Sequence, residues 1–131
     1  SLLNRIVMPV AGHADIDGLL DIVVGLAKVF AADVHVYQLA RPGETASPEL
    51  LTNKQRMLER LLAEGVRHEE VNEPSTVFSV GFADATIRYA SRVGAGAIAI
   101  MSHASDEYRY IADAEKERIL MNDARIPVIC A

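Results

Sequence analysis

The chain has one cysteine and no tryptophan, and only 5% of its residues are aromatic. A single thiol, Cys130, can close no internal disulfide, which fits a reducing compartment. No apolar run approaches the ~18 residues that a membrane-spanning helix needs, and no charged-then-apolar leader precedes a cleavage site. The expectation is a soluble, cytoplasmic protein with no membrane partner. Basic residues are also scarce: 13 Lys and Arg stand against 18 Asp and Glu, a formal charge of −5. Such a surface repels phosphate backbones and no basic run offsets it, so nucleic acid is not an expected partner. Low-complexity tracts and internal repeats are absent too. The first residue is Ser1, and a strand begins almost at once, as expected of a piece excised from a longer, tandem protein.

What is present describes one domain of 131 residues, long enough for a core without staples. Arg5 to Val10 is a short apolar run and reads as the first strand, ending near Pro9, which has no amide to donate. Ala11-Gly12-His13 is then a strand-to-helix turn. From about Asp15 to Phe30, Leu19, Ile22, Val23, Leu26 and Phe30 recur at helical spacing, with Asp15 and Asp17 suited to the helix amino end. Val34 to Leu39 alternates apolar and polar side chains and reads as the second strand. After a loop, Ser47-Pro48 gives a cap and a first-turn proline. The helix to Ala63 is expected to bury Leu51, Met57, Leu58, Leu61 and Leu62. Lys54, Gln55, Arg56, Glu59 and Arg60 would cover its solvent side, and Gly65 closes it.

Two runs compete for the third strand. Thr76 to Val80 is richer in strand formers and is preferred, with Val66 to Val71 as an edge extension. A helix from about Ala83 to Val93 follows, packing closely through Ala83, Ile87 and Ala90. Ala97 to Met101 is a buried strand, Ser102 to Asp106 a polar loop, and a helix then runs to about Asp123. Ile126 to Cys130 is the last strand. Strands alternating with crossover-length helices predict an α/β fold: a doubly wound parallel sheet covered on both faces. In such sheets ligands sit beyond the carboxyl ends of the strands, beside helix amino termini.

The opening IVMPVAGH (Ile6 to His13) and the closing GAGAIAIMSH…EKERILMNDARIPVICA resemble a universal stress protein domain. Glu117-Arg118-Ile119-Leu120 is similar to that family's ERVL, and Ile126-Pro127-Val128-Ile129 to its CPVL. Val80-Gly81 before a helix resembles the turn after its third strand. The resemblance implies a five-stranded sheet in the order 3-2-1-4-5, the adenine nucleotide alpha hydrolase-like sandwich. It also implies pairing through the last strand, so Ile126, Val128, Ile129 and Cys130 are the expected interface of a homodimer or of a join to a sister domain. In the ATP-binding members, glycines in the pattern G-x2-G-x9-G-[ST] cradle the phosphates, because a side chain would keep backbone amides from the phosphate oxygens. Carried over by position, the first two glycines fall on Ser102 and Ser105. The third, with its hydroxyl neighbour, falls on Asp113 and Ala114, in a loop two residues shorter. The nucleoside-holding aspartate falls on Ala11. At an effective dielectric of ~20, like charges ~4 Å apart repel by roughly 4 kcal/mol, so Asp113 beside a polyphosphate is unfavourable. The resemblance thus points to the branch that does not bind ATP, with no cofactor.

The same residues allow other chemistry. His13 and His103 follow strands that the implied sheet order makes neighbours, near Asp15, Asp17 and Asp106. A zinc-type site is one reading, and two solvated loop residues the plainer one, since the four histidines show no ligand spacing. Ser102 to Ser105 offers amides and hydroxyls to a small anion, or merely caps the next helix. The 106–110 run DEYRY suits a partner surface, a filler of the vacated pocket or a solvated loop. Cys130 reads as a small core residue as readily as a reactive one. No nucleophile elbow, Ser/His/Asp order or carboxylate pair stands out, so no catalytic residue and no enzyme activity is expected.

Overall fold

A computed structural model describes residues 3–12, 15–40, 43, 45–74, 81–101 and 117–131. In chain order the elements are β1 (Arg5–Pro9), α1 (Asp17–Phe30), β2 (Asp33–Ala40), α2 (Pro48–Ala63), β3 (His68–Pro74), α3 (Phe82–Arg92), β4 (Ala97–Ile100) and β5 (Val128–Cys130). A helical turn at 117–120 precedes β5. The five strands form one sheet in the order β3-β2-β1-β4-β5, and all four pairings are parallel. The expected architecture and strand order are therefore observed.

The central strands are apolar on both sides because helices cover both faces. Ile6, Met8, Val34 and Val36 point to one core with Leu19, Val23, Met57 and Leu61, under α1 and α2. Val7, Tyr37 and Ile98 point to the other, with Ala83, Tyr89 and Ala90 of α3 and with Ile119. The element boundaries have local causes. The Asp15 carboxylate accepts the Asp17 amide at 3.0 Å ahead of α1, and the Ser47 hydroxyl accepts that of Leu50 at 3.2 Å at the start of α2. Gly65 and Gly94 follow α2 and α3 with φ of 68° and 66°, where a side chain would be strained.

Four expectations need correction. The third strand is His68–Pro74, running seven residues in register with β2 from Val34↔His68 to Ala40↔Pro74. The favoured run, Thr76 to Val80, lies outside the described residues. Propensity misled because β3 is an edge, where glutamates face water and Pro74 needs no donor. The last strand is shorter than expected, Val128–Cys130, because the Ile126 amide is taken by the Asn122 side chain at 2.9 Å. On α1, Ile22 and Phe30 are nearly half-exposed, although both belong to the predicted stripe. On α2 the buried face is Asn53, Lys54, Met57 and Leu61, while Leu62 is 73% exposed and Leu51 half-exposed. The helix lies across the polar carboxyl end of β2 and β3, so its inward side there is polar.

Candidate functional site

The strand order reverses at β1 and β4, and in sheets of this kind the ligand crevice lies beyond the carboxyl ends of the two strands at that point. The β1 wall of this crevice is described. The Val10 amide donates to the Tyr37 carbonyl at 2.8 Å, extending the ladder past Pro9. Ala11 and Gly12 are half-buried. The Ala11 carbonyl accepts from the Asn53 side-chain amide at 2.7 Å, so α2 fixes the strand end. The turn rests on the start of α2: a Cβ on Gly12 would stand 3.6 Å from the Ser47 hydroxyl and 3.7 Å from the Glu49 Cβ, ordinary contact distances. At this corner the Ala11 side chain is a methyl group, which neither accepts a hydrogen bond nor carries charge.

His13, Ser102, His103, Ser105, Asp113 and Ala114 lie outside the described residues, as do Asp106 and the 106–110 run. Of the carboxylates expected near the crevice, Asp15 accepts the Asp17 amide ahead of α1 and Asp17 pairs with Arg56 of α2. Among the described residues, no three His, Cys, Asp or Glu side chains gather as a metal set. Also among them, no helix is long and apolar enough to cross a membrane.

The expected interface residues do not behave alike. Ile126 and Val128 pack toward the α3-side core and Ile129 toward the α1-side core, all half-buried. Cys130 is a free, exposed thiol. β5 pairs with β4 through Ile98↔Val128, Ala99↔Ile129 and Ile100↔Cys130, and it ends the sheet.

Two polar clusters escaped the sequence reading. In the first, the Lys54 ammonium donates to Gln38 Oε1 at 2.8 Å and to Asn72 Oδ1 at 2.6 Å, and meets Glu70 Oε2 at 2.6 Å. Hydrogen bonding from Lys54 holds the Glu70 carboxyl below its ordinary value. The second lies under α3. Arg5 grips Asp33 with Nε and Nη2, at 2.9 and 3.0 Å, and gives Nη1 to the Val93 carbonyl at 2.9 Å. Burial pushes Asp33 up, but the hydrogen bonds and charge of Arg5 outweigh it, and the net direction is down. Tyr37 donates to Glu73 at 2.9 Å and stacks on Tyr89 with centroids 4.7 Å apart. Arg92 lies over the Tyr89 ring and pairs with Glu73. Burial, reinforced by Glu73, pushes the Tyr37 hydroxyl pKa well up, and burial does the same more mildly for Tyr89. One signal was available: Val34-His35-Val36-Tyr37 alternates, and in a sheet covered on both faces the polar set also points inward.

No protein-family model matches the chain, and no curated relative matches it in sequence. Solved structures match its fold. A protein of the universal stress protein family from Burkholderia pseudomallei superposes with a TM-score of 0.69 at 19% identity, over 100% of this chain and 97% of that one. The universal stress protein from Archaeoglobus fulgidus in complex with dAMP gives 0.68 at 21% identity, over 99% and 98%. A longer Archaeoglobus fulgidus universal stress protein gives 0.68 at 19% identity, matching 99% of this chain but only 44% of its own.

Proposed function

We propose that this chain is a universal stress protein-type domain, of the branch that does not bind ATP, acting as a non-catalytic, dimerising module in a stress response. The observation that carries the reading is the end of β1. In the resembled family an aspartate there holds the nucleoside. Here the position is Ala11, its carbonyl tied to Asn53 and its side chain unable to hydrogen-bond. The substitutions carried over by resemblance, Ser102, Ser105, Asp113 and Ala114 in place of glycines and a hydroxyl, support the same conclusion. Association through Ile126, Val128, Ile129 and Cys130 is supported by the position of β5 at the end of the sheet and by the exposure of the apolar residues Leu120 and Met121, which precede it in the chain. The partner is a second copy or a sister domain.

Calorimetric titration with ATP and magnesium tests the reading. No heat of binding is expected up to millimolar nucleotide, and a dissociation constant in the micromolar range would refute it. A second reading has its own support, because the dAMP complex from Archaeoglobus fulgidus shares this fold. In that reading the altered 102–114 segment holds AMP or another small anion. Titrating dAMP and inorganic phosphate beside ATP separates the two: binding of dAMP without ATP favours the second.

A further inference from the structure

His35 lies in the middle of β2, 4% exposed, on the sheet face that α3 covers. Its Nδ1 is 2.6 Å from the Tyr89 hydroxyl of α3. Its Nε2 faces Glu69 at 3.4 Å and Asp33 at 3.7 Å. One neutral tautomer satisfies both sides: Nε2–H turned to the carboxylates, and Nδ1 accepting the Tyr89 proton. That assignment is inferred from the network. The charged and titratable groups around the ring are Arg5 from β1, Asp33 and Tyr37 from β2, Glu69 and Glu73 from β3, and Tyr89 and Arg92 from α3.

A second proton on the ring must go to Nδ1, whose lone pair already holds the Tyr89 hydroxyl. It would force the Tyr89 hydroxyl to turn from donor to acceptor, and it would place a full charge in a buried site beside the Arg5 guanidinium. Two carboxylates oppose this penalty, but weakly. Asp33 is already gripped by Arg5, and the Glu69 side chain is 69% exposed and hydrated.

We propose that the His35–Tyr89 pair is a pH-sensitive latch, which holds α3 on the sheet while the imidazole is neutral and loosens it on protonation. Burial first, and then Arg5, lower the His35 pKa below its ordinary value while α3 is docked. Where α3 lifts away, the ring returns to water and to ordinary basicity, near 6.5. The opened form therefore binds the proton better, and acidification below that value favours it. For one proton the opening equilibrium gains at most about tenfold per pH unit, and it levels off below the docked-state value. Asp84 of α3 also meets Arg118 at 2.6 Å, in the helical turn leading to β5, so loosening withdraws one support from that edge. The latch itself does not depend on association.

The test is amide hydrogen exchange of α3 between pH 8 and 5, corrected for intrinsic rates, beside an NMR titration of the His35 ring. The ring is expected to titrate below 6.5. Protection of the α3 amides is expected to fall by up to about tenfold per pH unit in that window while β1 and β4 amides hold. In His35→Asn, where Oδ1 can accept from Tyr89 without titrating, the pH dependence should vanish. A ring titrating at or above 6.5, α3 protection independent of pH, or a dependence persisting in His35→Asn would each overturn the latch. If the variant does not fold, the two wild-type measurements decide alone.

Discussion

Replacing Lys54 by methionine should destabilise the domain by about 2 kcal/mol, although helical periodicity alone would place the residue in solvent. Methionine keeps most of the apolar stem and removes the ammonium. Lys54 is 8% exposed, and its three protons have three acceptors at 2.6 to 2.8 Å. Hydrogen bonds from a charged group contribute roughly 1.5–3 kcal/mol each, so three would suggest several kcal/mol. Solvent reduces that figure. Glu70 and Asn72 are exposed and rehydrate once the lysine is gone. Gln38, half-buried under α2, cannot do so fully, and the newly buried thioether returns part of the loss. For a chain of 131 residues, about 2 kcal/mol corresponds to a fall in Tm of roughly 7 °C. Urea unfolding followed by circular dichroism reads the change directly. A Lys54→Met protein within about 0.5 kcal/mol of wild type, the range usual for surface substitutions, would show that the cluster is only a solvated ion pair.

Three further outcomes follow from the same structure. Met57→Ala, at a position 1% exposed, should cost about 2–5 kcal/mol in urea unfolding, whereas the same change at exposed Met121 should cost little. In acid, Asp33 should contribute stability that is full above its ordinary carboxylate value and is lost as pH falls through its lowered folded value. Arg5→Met leaves burial without its partner, so the slope should reverse there, and unchanged melts between pH 5 and 2 would refute the role of the pair. Cys130→Lys places a charge on the exposed end of β5 and should give a monomer by light scattering, while persistence of a dimer would move the interface elsewhere.

Much of the fold was legible because its inner elements are strongly periodic. Leu19, Val23, Met57 and Leu61 recur at helical spacing and are buried as that spacing implies. β3 was not legible. HEEVNEP carries few strand formers, and it is held by its ladder with β2 rather than by its own composition. Neither was Lys54, because periodicity reports distance from solvent and takes no account of the polar ends of strands beneath a helix. His35 was passed over: the alternation of Val34 to Leu39 marks a strand, but helices on both faces bury its polar set as well. Of the candidate site residues, Ala11 and Gly12 follow β1 as the expected strand end implies, and His13, Ser102, His103, Ser105, Asp113 and Ala114 lie outside the described residues.

The two rims of the sheet are built differently, and this bears on how many copies can assemble. One rim carries Glu69, Glu70 and Glu73, and the other offers Val128, Ile129 and Cys130 without a formal charge. If two molecules meet rim to rim about a two-fold axis, each uncharged rim is consumed by its twin, and the composite sheet presents carboxylates at both outer ends. Growth then terminates after one step, because no uncharged rim is left to pair. A substitution that neutralised those glutamates would therefore be the change to watch for filaments.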